Sequence, residues 1–310
     1  MVDPRDRDVS SMSIESALAA HEKYHDSLDG RLQVWMAAST PRGSPAATHK
    51  AIGDACAHHD IGLTMHCAEA PRDLDIFRQV YKCSPTEFCQ QSNLIGRGRS
   101  TVLAHLVNLD LPTDLPILRD SGAAVAHNPA SNCKLASGIA AVPEMLKGNV
   151  NVSLGTDGAP CNNTYDMFQE MRLAGLIHKG NVRDATVVGA DEVLEMATIN
   201  AAKALGLDRD IGSLEIGKKA DFVVLDVRGL NCAPFDHAQL LEGGVDPVTT
   251  VVYSCTGADV EMVVVDGSIL VEGRKLVEAD EGDILVQARA AVKRIRDAAG
   301  VRVRVSRNYS

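Results

Sequence analysis

Short apolar segments alternate with longer amphipathic stretches through the first two thirds of this chain, and this pattern most constrains its fold. The predicted strands are residues 32–38, 61–67, 101–105, 123–127 and 150–154, and the helices between them include 45–59, 73–94 and 165–178. Alternating strands and helices favour parallel strands joined by right-handed crossovers. The sequence therefore predicts an α/β fold. A closed barrel of this kind has eight strands, so the expected barrel is partial.

The pattern changes after a helical stretch at 190–205. Short segments punctuated by glycine follow, with strands predicted at 220–226, 249–253, 260–266 and 268–272, and the tail returns to a helix at 280–299. These segments predict a small β-rich module. We therefore expect three parts: an incomplete barrel at 1–208, the β-rich module at 209–277, and a C-terminal helix and tail at 278–310.

Charge, hydropathy and cysteine content exclude several classes of function. The net charge is −10 and the acidic and basic residues are mixed along the chain, so no basic patch favours nucleic acid. No apolar run is long enough to span a membrane, and the charged N-terminus is unlike a signal peptide. The eight cysteines are scattered without a C-x-x-C pair, which is typical of reduced thiols. We expect a cytoplasmic protein that acts on a small molecule.

Polar residues follow the predicted strands at the points where they end. His66 and Glu69 follow one strand, and His105, His127 and Asp157 follow the next three. The carboxyl ends of parallel strands converge on one rim of a β/α barrel, where catalytic loops lie. One histidine at such a position is more often structural, but several together favour a site.

Four segments in order resemble the metal-dependent amidohydrolase superfamily, specifically its deaminase and chlorohydrolase branch. They are His66–Glu69, Ala104-His105, His127–Gly138 and Leu154–Gly158. This branch includes guanine and 8-oxoguanine deaminases, methylthioadenosine/S-adenosylhomocysteine deaminases and triazine hydrolases. The resemblance implies a TIM-type β/α barrel with a composite β-sandwich, and the C-terminal region around 211–225 and 265–267 would form part of that sandwich.

The resemblance also implies roles for individual residues. His66 and Asp157 would bind one divalent metal ion, Zn²⁺ or Fe²⁺, and Asp157 would also take the proton of the attacking water. Glu69 would carry protons to the leaving group, and His105 would polarise the substrate or the hydroxide. Imidazole and carboxylate ligands suit both metals. A bound metal makes a hydroxide nucleophile available at neutral pH.

Two further segments have weaker predictions. The segment 127–132 is expected to form a rigid loop at the rim, whose side chains contact either local amides or the substrate; the candidates are His127, Ser131 and Asn132. Glu170, Arg172 and Lys179 resemble a helix of methylthioadenosine-type deaminases, although a solvated helix face explains such charges most simply.

The family's first metal motif, a His-x-His pair on the first barrel strand, does not occur in this sequence. Mononuclear catalytic sites usually need at least three protein ligands. We therefore expect an N-terminally truncated chain. A partial barrel also has an open edge whose strand must be covered, which predicts a homo-oligomer.

Two hypotheses follow. The first is a metal-dependent hydrolase that acts on C–N bonds, deaminating a purine or related N-heterocycle; chlorohydrolysis of an s-triazine is the same addition with chloride leaving. The second is an inactive truncated homologue with a structural or regulatory role. Nucleoside-handling relatives often have a histidine where this chain has Ser39, which disfavours a methylthioadenosine substrate.

Two other motifs are interpreted as coincidences. His21–His25 matches H-E-x-x-H, the zinc motif of metalloproteases, but its surroundings fit a helix before a barrel strand. Pro160-Cys161 lacks the second cysteine of the cytidine-deaminase motif P-C-x-x-C.

Overall fold

The computed structural model describes residues 13–236 and 244–301. Contacts within the chain separate it into two compact units. One unit runs to Lys218 and includes Val227–Gly257, and the other comprises Lys219–Asp226 and the chain from Ala258 onward. The predicted boundaries at 208 and 277 stay a prediction.

Helices occupy most of the connections between strands. In chain order they are α1 (Ile14–Tyr24), α2 (Ala46–His59), α3 (Asp73–Ile76), α4 (Pro85–Gln91), α5 (Leu111–Ser121), α6 (Pro129–Lys134), α7 (Val142–Lys147), α8 (Ala159–Asn162), α9 (Met167–Val182), α10 (Ala190–Ala197), α11 (Ile199–Leu205), α12 (Pro247–Tyr253) and α13 (Glu281–Ala299). A π-helical turn, Phe77–Tyr81, follows α3. Within the described part of the chain, no helix combines the length and apolar character needed to cross a bilayer.

The first unit is built on a parallel sheet. Within residues 13–236 its five strands lie in chain order: β1 (Met36–Ala38), β2 (Leu63–Cys67), β3 (Thr101–His105), β4 (Ala124–His127) and β5 (Val152–Leu154). Every neighbouring pair is parallel. The predicted α/β fold with a partial TIM-type barrel is confirmed, and all five strands fall where the apolar segments predicted them.

The core lies between this sheet and its helices. Along β2 burial alternates, with Leu63, Met65 and Cys67 buried while Thr64 and His66 are exposed on the other face. Leu103 on β3 is fully buried in the same core. Full burial of a side chain such as leucine contributes about 1.5–3 kcal/mol, so this apolar face holds the strands in register.

The second unit contains an antiparallel sheet. Among its described residues four strands lie in the order β6 (Phe222–Leu225), β7 (Val260–Val265), β8 (Ser268–Glu272) and β9 (Lys275–Leu276). Asp266 and Gly267 form the turn between β7 and β8, and both have positive φ, which suits a tight hairpin. The predicted β-rich module is present in this sheet.

Some local predictions are wrong. The strand predicted at 249–253 is instead part of α12. Asp246 caps this helix by accepting from the amide of Thr249, and Pro247 occupies its first turn, so the end signals outweigh strand propensity. The predicted helix at 73–94 is divided at Lys82, which has a left-handed backbone conformation.

Candidate active site

The strands of the parallel sheet end abruptly at the residues predicted to carry chemistry. Ala68, His105 and Asp157 all have positive φ, which is uncommon for residues other than glycine. Register alone places His66 opposite Ala104, so His105 would point to the other face. The left-handed backbone at His105 turns its side chain back, and its ring stacks on that of His66 at a centroid distance of 5.5 Å. Strained backbone of this kind clusters at functional sites.

Three of the predicted residues form one cluster of metal-binding atoms. The ligand atoms of His66, His105 and Asp157 all lie within 4.8 Å of one another. His105 is buried, with 1 % of its side chain exposed, whereas His66 is exposed and Asp157 lies between these extremes. The cluster is therefore fixed on its inner side and open on its outer side.

The hydrogen bond of His105 determines which ring nitrogen faces the cluster. Its Nδ1 lies 2.9 Å from Oδ1 of Asn132, so Nδ1 carries the proton and donates it. The Nε2 lone pair then faces the carboxylates, 3.8 Å from Asp157 Oδ2 and 4.0 Å from Glu69 Oε2. These distances are too long for hydrogen bonds. Metal bonds of about 2.0–2.2 Å separate two ligand atoms by roughly 3–4 Å, so the donor set fits a zinc or iron ion.

The carboxylate of Asp157 is held in its ionised form. Burial raises the pKa of this group. Hydrogen bonds from Ser131 Oγ and the Gly158 amide, together with the nearby His105 and His66, lower it by more, so the net pKa is below its usual value. Both hydrogen bonds are 2.6 Å long. Asp157 is thus anionic and oriented, as a metal ligand requires.

Glu69 lies beside the cluster on the loop that follows β2. Its side chain is 22 % exposed. The side-chain amide of Asn108 donates to the main-chain carbonyls of Glu69 and Ala70, at 2.9 and 3.0 Å, and so fixes this loop. Asn108 was not among the predicted site residues, although its position three residues after His105 is a usable signal.

The segment that follows β4 holds two residues of the cluster in place through side-chain hydrogen bonds. Ser131 donates to Asp157, Asn132 accepts from His105, and both side chains are buried. The rigid loop expected at 127–132 is a helix from Pro129 onward, because proline at the first helical position initiates α6. A direct substrate contact by Ser131 or Asn132 stays a prediction.

His127 pairs with a histidine that sequence analysis missed. Its Nε2 lies 3.1 Å from Nε2 of His178 on α9, and both rings are buried. Burial, with smaller effects of His178 and His105, lowers the pKa of His127 to about 3, and burial and Lys179 lower that of His178 to about 4. Both are neutral at pH 7. The Nδ1 atom of His127 has no hydrogen-bond partner among the described residues, and a substrate contact by His127 stays a prediction.

Of the charged residues singled out on α9, Arg172 lies on a solvated face, whereas Glu170 and Lys179 do not. Glu170 is completely buried and accepts from the Ala130 amide at 3.1 Å and from Asn162 Nδ2 at 2.6 Å. Lys179 donates to two main-chain carbonyls, and Arg172 is exposed and contacts the carbonyl of Tyr253. Glu170 and His178 are eight residues apart with Ala174 between them, a helical spacing that could have marked them as one buried stripe.

The H-E-x-x-H segment does not form a comparable site. Nδ1 of His21 and Nδ1 of His25 both lie near the Val34 carbonyl, at 2.6 and 3.2 Å. Within the residues that the structure describes, no third ligand atom joins the two within 4.8 Å.

Comparison with known proteins agrees with this geometry. The Amidohydrolase family model matches residues 5–270. A 5-methylthioadenosine/S-adenosylhomocysteine deaminase from Acetivibrio thermocellus is 37 % identical over 289 residues, covering 92 % of this chain and 64 % of the relative. The chain belongs to the amidohydrolase family, and its predicted resemblance to the deaminase and chlorohydrolase branch is confirmed.

Two solved structures share the fold. An adenosine deaminase from Xanthomonas campestris with bound zinc has a TM-score of 0.83 and 27 % identity, covering 91 % of this chain and 61 % of its own. The atrazine chlorohydrolase from Arthrobacter aurescens, complexed with zinc, has a TM-score of 0.80 and 26 % identity, covering 90 % and 59 %. The chain thus spans about three fifths of the length of the relatives that it matches.

Proposed function

We propose that this chain carries the candidate catalytic residues of a metal-dependent hydrolase that deaminates a purine nucleoside or a related N-heterocycle. The observation that carries the proposal is the cluster of His66, His105 and Asp157, whose donor atoms face one another without a hydrogen bond between them. Two imidazoles and a carboxylate suit Zn²⁺ and Fe²⁺ alike. The zinc present in both solved relatives supports zinc.

His66 and Asp157 would hold the metal, and Nε2 of His105 lies close enough to the same cluster to act on a group bound there. A bound Zn²⁺ would lower the pKa of a water towards about 7, so that hydroxide is available at neutral pH. Asp157 would take the proton of the attacking water, and His105 would polarise the substrate or the hydroxide. Glu69, beside the cluster and partly exposed, would carry a proton to the departing nitrogen.

The names of the relatives support a nucleoside as substrate, since the Acetivibrio and Xanthomonas proteins are both deaminases of adenosine-type compounds. The atrazine chlorohydrolase supports the alternative leaving group, chloride, on an N-heterocycle. We keep the cytoplasm as the predicted location, because the cysteines of the described chain form no disulfide, as in a reducing compartment.

The inactive-homologue hypothesis is tested against this proposal by metal content. We expect close to one zinc per purified chain by elemental analysis, lost in His66→Ala and in Asp157→Ala. His58→Ala changes an exposed histidine on α2 and should retain the metal. Release of ammonia from adenosine, 5-methylthioadenosine and guanine then identifies the substrate class. A wild-type chain without zinc would support the inactive homologue and contradict the proposal.

We further propose that the chain forms a homo-oligomer through α13. None of the described side chains of this helix is buried, and five large apolar ones are about half exposed or more: Ile284, Leu285, Val286, Val292 and Ile295. Its first turn is acidic and its later turns carry Arg289, Lys293, Arg294 and Arg296. Two copies paired antiparallel would therefore place opposite charges together. Sedimentation equilibrium should give a dimer that Ile295→Glu dissociates, and a monomeric wild-type chain would contradict it.

A further inference from the structure

A carboxylate outside the metal cluster joins the two segments on which the cluster depends. Glu170, on α9, is completely buried, and each of its oxygens accepts from a different segment. One accepts from the main-chain amide of Ala130, at the start of α6, and the other from the side-chain amide of Asn162, at the end of α8. The helix thus contacts the segment after β4 and the segment after β5 through one side chain.

Each contact of Glu170 ends next to a residue of the site. Ala130 is followed directly by Ser131, which donates to Asp157, and by Asn132, which accepts from His105. Asn162 also donates to the main-chain carbonyl of Thr156, at 2.7 Å, and Thr156 precedes Asp157. The distance between the Ser131 hydroxyl and the Asp157 carboxylate therefore depends on how Glu170 holds the two segments.

From this connection we propose that Glu170 is a positioning residue, which sets the geometry of His105 and Asp157 through Ala130 and Asn162 without touching metal or substrate. The inference deepens the proposed function and rests on it for the identity of the cluster. A carboxylate suits this position because each of its oxygens accepts a hydrogen bond. A glutamine side chain of the same shape would place its own NH₂ donor against either the Ala130 amide or the Asn162 amide, which are donors too. Burial favours the neutral form and raises the pKa of Glu170, and the hydrogen bonds from Ala130 and Asn162 oppose that shift.

The test compares three variants of the full chain. Glu170→Ala removes both contacts, and Glu170→Gln keeps an acceptor for one of them. Met171→Ala is the matched control, because Met171 is buried on the same helix but contributes only apolar packing. Zinc affinity is measured by competition with a chelator, and amide hydrogen exchange is followed in residues 128–136 and 154–163.

We expect Glu170→Ala to lower zinc affinity about 10-fold, the effect typical of residues that orient ligands. Exchange should become about 10- to 100-fold faster in both segments, since a hydrogen bond to a charged group contributes that much. Glu170→Gln should accelerate exchange in one segment. Met171→Ala should lower the midpoint of thermal unfolding with both readouts nearly unchanged.

Unchanged exchange in both segments of Glu170→Ala, or equal acceleration in Met171→Ala, would overturn the positioning role. The exchange measurement needs no metal. A wild-type chain that binds no zinc would therefore count against the proposed function, while the exchange rates would still decide the role of Glu170.

Discussion

The parallel sheet β1–β5 and the antiparallel sheet β6–β9 place their polar side chains differently. In the parallel sheet, His105 is buried at a strand end and each of its ring nitrogens faces a defined group. Beside the antiparallel sheet, by contrast, the Arg274 side chain that pairs with Asp226 is half exposed. Polar groups converge in the first case because parallel strands all end at the same edge.

Burial differs in the same way. Leu103, in the middle of the parallel sheet, is fully buried, whereas Ile269 and Leu270 on β8 are each 42 % exposed. Chemistry at the strand ends requires a rigid base, since catalytic groups must keep their geometry. The comparison indicates that the parallel sheet positions the candidate site, while β6–β9 form a separate small module.

The largest difference between the two sheets is expected in kcat, when one glutamate of each unit is changed: Glu69 after β2 and Glu261 on β7. Glu69→Gln should lower kcat for deamination about 10²–10⁴-fold with zinc retained, because it removes a proton carrier without removing a ligand. Glu261→Gln changes a carboxylate on β7 and should leave kcat unchanged. Steady-state kinetics with zinc analysis distinguishes the two. Equal rates for Glu69→Gln and the wild type would remove Glu69 from the mechanism.

A smaller difference is expected in stability. Leu103→Ala should reduce the free energy of unfolding by about 2–5 kcal/mol, because it leaves a cavity in the core of the parallel sheet. Ile269→Ala, on the exposed face of β8, should cost about 1 kcal/mol or less, since much of its side chain already contacts water. Urea denaturation measures both. Comparable losses would show that the two sheets are equally well packed.

Counted per residue and per pH unit, the smallest effect is on the pH dependence of stability, and it arises from the parallel-sheet unit, since residues 219–226 and 258–310 contain no histidine. His127 and His178 have folded pKa values of about 3 and about 4. Unfolded imidazole titrates near 6.5, so below that pH the unfolded chain binds protons that the folded chain does not. The free energy of unfolding should therefore fall as pH decreases from 6.5 to 4.5, by about 1.4 kcal/mol per unit for each histidine.

His178→Gln should reduce the slope of the free energy of unfolding against pH by the contribution of one proton, about 1.4 kcal/mol per pH unit. His58→Gln, at an exposed position on α2, should leave it unchanged. Denaturation curves at several pH values between 7.5 and 4.5 give the slopes. An unchanged slope in His178→Gln would mean that this ring is protonated while folded.

Local patterns in the sequence were sufficient for the order of strands and helices in the parallel unit. Each strand of that sheet lies within an apolar segment, as β2 does in 61–67 and β3 in 101–105, because burial on the core face requires apolar side chains at those positions. The same patterns failed at 249–253, where the capping residue Asp246 outside the segment decided the structure. Position at the strand ends also identified His66, Glu69, His105 and Asp157 as candidates for one site.

The sequence by itself determined the α/β order, the family and the candidate residues, since these depend on neighbours along the chain and on motifs. Tertiary structure alone decided that His105 faces Asp157 and Glu69, because the left-handed backbone at His105 reverses the direction that strand alternation predicts. It also decided that Glu170 and His178 are buried beneath the site. Glu170 bonds to Ala130 and Asn162, which are 40 and 8 residues away, and His178 contacts His127, which is 51 residues away. Such contacts form only when the helix packs on the sheet.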